Sequence, residues 1–201
     1  MNRILHISIT TALILLSSPL FGQSDSSAGI LKRIAEVSGG INGIECDFIQ
    51  KKHSGLLEDA AVSKGHMTYR KPDFLKWEYT APFSVAIVVD KGRIDTERDG
   101  VQSRPESGLN RIFKEMSKLI AGSIDGSAIT DGKLFQTELS ESAGIISAIM
   151  RPLRADMKSM WEKLVIRYDS KTYKAVSFEL YEPSGDYTGI EFLNSRYDIS
   201  E

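Results

Sequence analysis

Few side chains in this sequence have a type and spacing suited to covalent catalysis. Beyond the first 22 residues, the histidines are His53 and His66. Neither lies in a His-x-His or His-Glu-x-x-His pattern, and the sequence also has no Gly-x-Ser-x-Gly or phosphate-loop motif. Each histidine adjoins a glycine-containing turn or strand start, which favours a surface position. A secreted hydrolase is therefore less well supported than a non-catalytic protein. If the protein were a hydrolase, replacing His53 or His66 would abolish turnover.

Two other chemical features have simple structural interpretations. Asp95, Glu97 and Asp99 alternate along one predicted strand, which is typical of a solvated face, and they lack the loop spacing of a calcium site. Cys46 is the one cysteine, so no disulfide can form within the chain. It shares a strand face with Ile44 and Phe48, which indicates a buried thiol.

The composition describes an ordinary globular protein. The 201 residues are 41% hydrophobic and 26% charged, which is enough apolar material for a core. A formal net charge of −2 argues against a polybasic nucleic-acid-binding protein. We find no repeat and no linker, so we expect residues 23–201 to form a single domain.

Residues 1–22 have the pattern of a cleavable signal peptide. Arg3 supplies the positive start, and an apolar run follows over residues 7–16 before a polar break. A run of about ten residues is too short to span a bilayer, which needs roughly 20. With no cysteine near the cleavage region around Gly22, a lipid anchor there is excluded. The sequence therefore predicts an exported, periplasmic protein.

The remaining chain is mostly a series of strands. Ile30, Leu31, Ile34 and Val37 first form one face of a helix that Gly39 and Gly40 end. From residue 43 the apolar period changes to two. The pattern predicts an antiparallel meander of about eleven strands, at residues 44–53, 62–70, 74–80, 84–90, 92–98, 101–104, 133–140, 144–151, 162–169, 173–182 and 186–197.

Two helices interrupt the meander. Over residues 109–121, apolar side chains recur at helical spacing, and Gly122 is expected to end the helix. A shorter helix is predicted over residues 152–161. Eleven antiparallel strands do not lie flat, so we expect a mainly β (α+β) fold that curls into an incomplete barrel or splits into a sandwich. The helices then either plug the sheet as ordinary core or form a lid over a hydrophobic cavity.

The most specific stretch is residues 64–82, which reads as two strands joined at a basic, proline-containing corner. Met67, Tyr69 and Lys71 share one face of the first strand, and Leu75, Trp77 and Tyr79 share one face of the second. Large apolar side chains on a sheet with a cation at its edge indicate a packed core or a binding surface rather than a catalytic centre.

This stretch resembles the LolA family of periplasmic outer-membrane lipoprotein carriers. The resemblance is carried by Phe48, Gln50, Gly65, Lys71-Pro72, Leu75-Lys76-Trp77-Glu78-Tyr79, Pro82 and Gly92, with the helix at 109–120 in the place of the family's lid helix. It implies an unclosed antiparallel barrel capped by helices, whose apolar interior carries the acyl chains of a lipoprotein. Family members receive cargo from an inner-membrane ATP-driven transporter and deliver it to an outer-membrane acceptor, without cofactor, metal or covalent chemistry.

A carrier must shield a lipid and still release it. Exposing an acyl chain of about 16 carbons to water costs on the order of 12 kcal/mol of transfer free energy, at ~0.8 kcal/mol per methylene. A cavity with a movable helical lid meets both demands. The hypothesis places these residues in the cavity, although each also fits an ordinary core: Phe48, Met67, Tyr69, Leu75, Trp77, Leu109, Ile112, Phe113, Met116 and Ile120.

Lys71 stands where many family members have an arginine that latches the lid. Lysine lacks the planar donor fork of arginine, so the resemblance implies a weaker or different latch. Arg70 is expected on the opposite strand face. We expect a monomer that carries either a lipoprotein or another acylated lipid, such as a glycolipid or lipid-linked precursor.

Overall fold

The computed structural model describes residues 27–56, 58–98, 101–103 and 117–199. The predicted signal peptide and most of the predicted 109–121 helix lie outside these residues. Eleven strands follow the first helix, with these bounds: β1 Ile41–His53, β2 Ala61–Arg70, β3 Phe74–Ala81, β4 Val85–Asp90, β5 Arg93–Arg98, β6 Val101–Ser103, β7 Phe135–Ser142, β8 Ile145–Pro152, β9 Lys163–Asp169, β10 Ala175–Tyr181 and β11 Tyr187–Ile199.

The strands form one antiparallel sheet in the order β6-β5-β4-β3-β2-β1-β11-β10-β9-β8-β7. Strands β1 to β6 pair in chain order, as do strands β7 to β11, and β1 pairs with β11 at the centre of the sheet. Strands β6 and β7 are the two ends of this order, so the sheet is not closed into a barrel. The predicted mainly β fold with an incomplete barrel of about eleven strands is confirmed.

Alternation of side chains gives the sheet two different faces. Along β1, Ile44, Cys46 and Phe48 are buried, whereas Glu45 is exposed and Asp47 is partly exposed. The same alternation continues in the paired strands, as in Met67 of β2 and Trp77 of β3. We call the face with the buried apolar side chains the inner face. Its side chains belong to one hydrophobic cluster that includes residues from both halves of the sheet.

In the described part of the chain, four helical segments accompany the sheet: α1 at Ser27–Gly39, α2 at 117–125, α3 at Ser127–Thr130 and α4 at Ala155–Lys158. The label α2 refers to the described part of that helix. No helix of the described chain is both long and apolar enough to cross a membrane.

The predicted end of the second helix at Gly122 is wrong, because α2 continues to residue 125. Gly122 has a packing role instead: a Cβ atom there would lie 2.9 Å from the Cβ atom of Ala128 on α3. The helix ends before Gly126, whose φ of 76° is the left-handed conformation that glycine adopts without strain. The glycine at the true helix end is therefore four residues later than the one predicted.

Candidate functional site

Three aromatic rings form the centre of the inner face on the β1–β3 side. The rings of Phe48 and Trp77 stack with centroids 4.0 Å apart, and Tyr79 meets Phe48 edge-on at 5.5 Å. Gly65 of β2 makes this arrangement possible, since a Cβ atom at that position would lie 1.9 Å from the carbonyl oxygen of Glu78 and 2.6 Å from the Phe48 ring. The Phe48 ring thus lies across a strand that has no side chain there.

The neighbouring positions extend this apolar surface along the strands. Met67 is opposite Trp77, and Tyr69 is opposite Leu75, in the β2–β3 register. Each of these four side chains is buried. The hydroxyl group of the third ring has a partner, because Tyr79 donates a hydrogen bond to Gln50 Oε1 at 3.0 Å. Burial raises the pKa of Tyr79, so its hydroxyl stays protonated and can donate.

The other half of the sheet contributes an equally apolar surface. Met150 on β8, Leu164 and Ile166 on β9, and Phe178 on β10 are almost fully buried in the same cluster. Tyr168 belongs to this set and adds a hydroxyl. The inner face is therefore apolar from one half to the other.

The helical segments α1 to α4 contribute residues to the same cluster, and we call them the helical layer. Two tyrosines of the sheet join this layer to the inner face. Ile120 and Ile124 of α2 are buried in the hydrophobic cluster. The Tyr69 hydroxyl donates to Asp125 Oδ2 at 3.0 Å, and the Tyr168 hydroxyl donates to the carbonyl oxygen of Ser123 at 3.4 Å. Because β2 and β9 lie in opposite halves of the sheet, the last turn of α2 is tied to both halves.

These two hydroxyl groups are poor acids in the folded protein. Burial is the main cause that raises the pKa of Tyr69 and of Tyr168, and the negative charge of Asp125 raises both further. Both tyrosines therefore remain neutral donors throughout the neutral pH range. Burial also raises the pKa of Cys46 to about 12, with a contribution from Asp47, so this thiol stays protonated.

Lys71 connects the β2–β3 corner to the end of α1. Its Nζ atom donates to the carbonyl oxygen of Gly39 at 2.9 Å and lies 3.5 Å from that of Ser38. A cation at this position satisfies terminal carbonyls and complements the helix dipole. Arg70 lies on the outer face, 4.0 Å from Glu45, with its guanidinium group over the ring of Phe74.

The end of α1 also touches the corner between α2 and α3. A Cβ atom on Gly126 would lie 2.8 Å from the Cβ atom of Ser38, which is buried in the last turn of α1. Asp125 Oδ1 accepts a hydrogen bond from the Ser127 backbone N–H at 2.9 Å. The two helical regions and the β2–β3 corner therefore meet at one place.

A cleft of about 310 Å³ opens between the helices and the start of β7. Its walls are mostly apolar, and Lys118, Arg154, Asp131 and Asp156 add charged groups. Arg154 forms a two-point ion pair with Asp156, with nitrogen–oxygen distances of 3.0 and 2.6 Å. The volume is at the lower end of the roughly 300–1,000 Å³ range of small-molecule pockets. The apolar wall residues are Leu119, Ala128, Leu134, Phe135, Met157 and Met160.

The structure brings six of the sequence-selected residues together and leaves four undescribed. The inner-face residues and the α2 residue share the hydrophobic cluster: Phe48, Met67, Tyr69, Leu75, Trp77 and Ile120. Leu109, Ile112, Phe113 and Met116 lie outside the described residues. Lys71 lies at the edge of this group, against α1.

Sequence reasoning missed the polar partners of the helical layer and the cleft. Tyr168 has a detectable signal, because Leu164, Ile166 and Tyr168 alternate along one strand in the same way as Met67 and Tyr69. Asp125 has no such signal, since its role depends on a helix end that the pattern placed at Gly122. Met157 and Met160 are apolar residues of the predicted 152–161 helix, but spacing alone does not show that they border a cleft.

The residues considered for catalysis or metal binding are dispersed. His66 pairs with Asp47 on the outer face, while the ring of His53 stacks on that of Tyr187 at 4.2 Å. Asp95 pairs with Arg93 at 2.8 Å. The described residues contain no group of three or more His, Cys, Asp or Glu side chains arranged to hold a metal ion.

Comparison with known proteins gives one family match. The family model described as outer membrane lipoprotein carrier protein LolA matches residues 39–199. No curated protein gives a significant match.

Several solved structures have a similar fold at low sequence identity. A LolA superfamily protein from Nitrosomonas europaea is 8% identical, with 88% of this chain and 95% of that chain covered and a TM-score of 0.46. The lipoprotein LppX of Mycobacterium tuberculosis is 11% identical, with coverage of 87% and 99% and a TM-score of 0.48. A chain of the MucA/MucB complex of Pseudomonas aeruginosa is 13% identical, with coverage of 86% and 57% and a TM-score of 0.47.

Proposed function

This chain belongs to the LolA family of outer membrane lipoprotein carrier proteins, and on that premise we propose that it shuttles acylated cargo through the periplasm toward the outer membrane. The cargo's acyl chains bind between the inner face of the sheet and the helical layer. The protein acts as a binding protein and not as an enzyme.

The observation that carries this proposal is the continuity of the apolar inner face. Stacked Phe48 and Trp77 in one half and Ile166 and Phe178 in the other belong to one cluster beneath the helices. Such a surface replaces water around an acyl chain and gains about 25 cal/mol for each Å² of apolar area removed from water. Its polar atoms at Tyr69, Tyr79 and Tyr168 already have hydrogen-bond partners within the protein.

Release requires that the helical layer can separate from the sheet. Among the described residues, local polar contacts join the two: Tyr69 to Asp125, Tyr168 to Ser123, and Lys71 to the end of α1. Breaking these hydrogen bonds costs much less free energy than the ~12 kcal/mol needed to expose a 16-carbon acyl chain to water. We propose that Lys71 takes the place of the family's arginine latch by holding α1, and that loading and release follow opening at this corner.

Membership of the LolA family also indicates which partners the carrier would have. Export by a cleavable signal peptide places the mature chain in the periplasm, where an inner-membrane ATP-driven transporter supplies the cargo and an outer-membrane acceptor receives it. An acyl chain is common to lipoproteins and glycolipids, so the inner face recognises what both share. Recognition of the polar part of the cargo must depend on other surfaces.

Binding of a fluorescent fatty acid tests the proposal. A pyrene-labelled dodecanoate added to the purified mature chain should quench the fluorescence of Trp77 in a Trp161→Phe variant, with saturation at one probe per protein. No quenching and no change in pyrene emission at micromolar protein would contradict acyl-chain binding at the inner face.

A further inference from the structure

Strand β7 is an open edge of the sheet beside the cleft. It pairs with β8 through eight residues, from Phe135 opposite Pro152 to Ser142 opposite Ile145. Among the described strands, none pairs with its other side. An edge of this length presents a row of backbone groups to which an extended peptide can add as a further strand.

The turn between β7 and β8 identifies the backbone groups that point outward. Ala143 and Gly144 form a two-residue loop with φ of 50° and 79°, as in the type I′ turn of a tight hairpin. The flanking pair, Ser142 and Ile145, is then hydrogen-bonded, and bonded and non-bonded pairs alternate from there. Thr137, Leu139 and Glu141 therefore direct their N–H and C=O groups away from β8.

Charge selects the kind of strand that fits this edge. The strand reads Phe-Gln-Thr-Glu-Leu-Ser-Glu-Ser, with Glu138 and Glu141, no cation and no proline. Both glutamate side chains are exposed. A basic segment would pair favourably with them, whereas β7 of a second copy would bring like charges into proximity. The edge thus favours a basic peptide over self-association.

The open edge of β7 begins beside the cleft. Leu134 and Phe135, at the start of β7, line the 310 Å³ cleft together with Met157 and Met160. A group attached to an acyl chain that emerges through this cleft would lie next to the first residues of β7. Peptide and lipid parts of one molecule could then occupy adjacent surfaces at the same time.

We propose that the outer edge of β7 binds the extended, basic peptide segment that carries the acyl chains of the cargo, by antiparallel or parallel strand addition. This inference rests on the proposed carrier function and narrows the cargo to a lipoprotein. The inner face binds the acyl chain, and the β7 edge distinguishes an acylated peptide from a free fatty acid or a glycolipid.

Synthetic probes test the inference without altering the protein. We would compare palmitate, a palmitoylated eight-residue peptide rich in Lys and Thr, and the same lipopeptide with alternate backbone nitrogens methylated in each of the two possible registers. The unmodified lipopeptide should bind about tenfold more tightly than palmitate, because main-chain hydrogen bonds add to the acyl contacts. Methylation in one register should remove this gain, and methylation in the other should have little effect.

Charge reversal on the edge provides a matched control. A lipopeptide with Glu in place of Lys should lose the gain with the wild-type protein and recover it with the Glu138→Lys/Glu141→Lys variant. Glu58→Lys, an exposed substitution in the β1–β2 loop, should leave the preference for Lys unchanged.

The outcomes separate the two proposals. If palmitate binds but the lipopeptides bind no better, or if both methylated forms keep the full gain, strand addition at β7 is wrong and the carrier function stands. If neither palmitate nor any lipopeptide binds, the carrier proposal itself fails. A concentration-dependent dimer in sedimentation that Glu138→Lys/Glu141→Lys alters would assign the edge to a second copy instead and overturn the inference.

Discussion

The hydroxyl group of Tyr69 donates a 3.0 Å hydrogen bond to Asp125, and this contact joins strand β2 to the corner between α2 and α3. The other oxygen of the same carboxylate accepts the Ser127 N–H group that opens α3. One side chain therefore links the sheet to two helical segments, at the place where Gly126 packs against Ser38 of α1.

Removing the donor should loosen the helical layer. Tyr69→Phe should lower the free energy of unfolding by about 1.5–3 kcal/mol, because a hydrogen bond to an ionised group is lost and the carboxylate loses a partner. Tyr197→Phe is the control, since its hydroxyl donates a longer hydrogen bond, of 3.5 Å, to the neutral carbonyl oxygen of Ala175. Urea unfolding measures both, and equal losses in the two variants would argue against a special role for Asp125.

Gly65 should not tolerate even the smallest side chain. Gly65→Ala places a methyl group 1.9 Å from the Glu78 carbonyl oxygen and against the Phe48 ring, so the β2–β3 pair must separate. Because the overlap is with rigid backbone, we expect a loss above the roughly 1–3 kcal/mol that is typical of overpacked core sites, or failure to fold. Gly55→Ala, with no atom within 4 Å of the new methyl group, should change the unfolding midpoint little. A Gly65→Ala protein of wild-type thermal stability would contradict this packing.

Lys71 should stabilise the end of α1. Lys71→Met removes the donor to the carbonyl oxygen of Gly39 and should increase amide exchange over residues 34–40, at a cost of about 0.5–1.5 kcal/mol. Lys71→Arg keeps the charge and should restore most of the protection. Lys133→Met changes an exposed loop cation and serves as the control. If exchange in α1 is the same in Lys71→Met and Lys133→Met, Lys71 does not hold this helix.

The cleft should be needed for access of an acyl chain. Met160→Lys introduces a charge into the cleft wall and should weaken binding of the pyrene-labelled fatty acid by about tenfold, because the cation would have to be desolvated. Leu153→Lys alters an exposed apolar residue that does not line the cleft. Equal affinities for the two variants would place the access route elsewhere.

The Cys46 thiol should be unreactive in the folded protein. Burial raises its pKa to about 12, so the thiolate that reacts with disulfide reagents is scarce at pH 8. The unfolded thiol has a pKa near 8.5, so the folded state binds more protons between that value and about 12, and this thiol lowers stability as pH rises through that interval. We expect slow labelling by a chromogenic disulfide at pH 8 and rapid labelling in guanidinium chloride. Rapid labelling of the native protein would contradict the buried position of Cys46.

The sequence predicts the strands well because their signal is local. Alternating side chains such as Ile44, Cys46 and Phe48 show both the strand and its buried face, and tight turns fix which strands are neighbours. The inner-face group from Phe48 to Trp77 follows from the same periodicity.

The helical layer and the cleft depend on contacts that periodicity does not encode. Gly122 resembles a helix end in sequence, but the close approach of Ala128 explains why a glycine occupies this position. The helix ends before Gly126 instead. Asp125 acquires its role only when the helix end brings it to Tyr69, which is 56 residues away in the chain. The cleft forms where α2, α3, α4 and the start of β7 converge, so no single stretch of sequence indicates it.

Identification of the lipid bound in the cell is the decisive test of acyl-chain transport by this protein. The mature protein would be purified from the periplasm without detergent and extracted, and co-purified lipids and lipopeptides would be identified by mass spectrometry. A lipoprotein carrier should co-purify with one acylated molecule per protein, of lipoprotein type, and Met160→Lys should reduce this amount whereas Leu153→Lys should not. Repeated absence of any acylated ligand, together with no binding of apolar fluorophores, would contradict the carrier function.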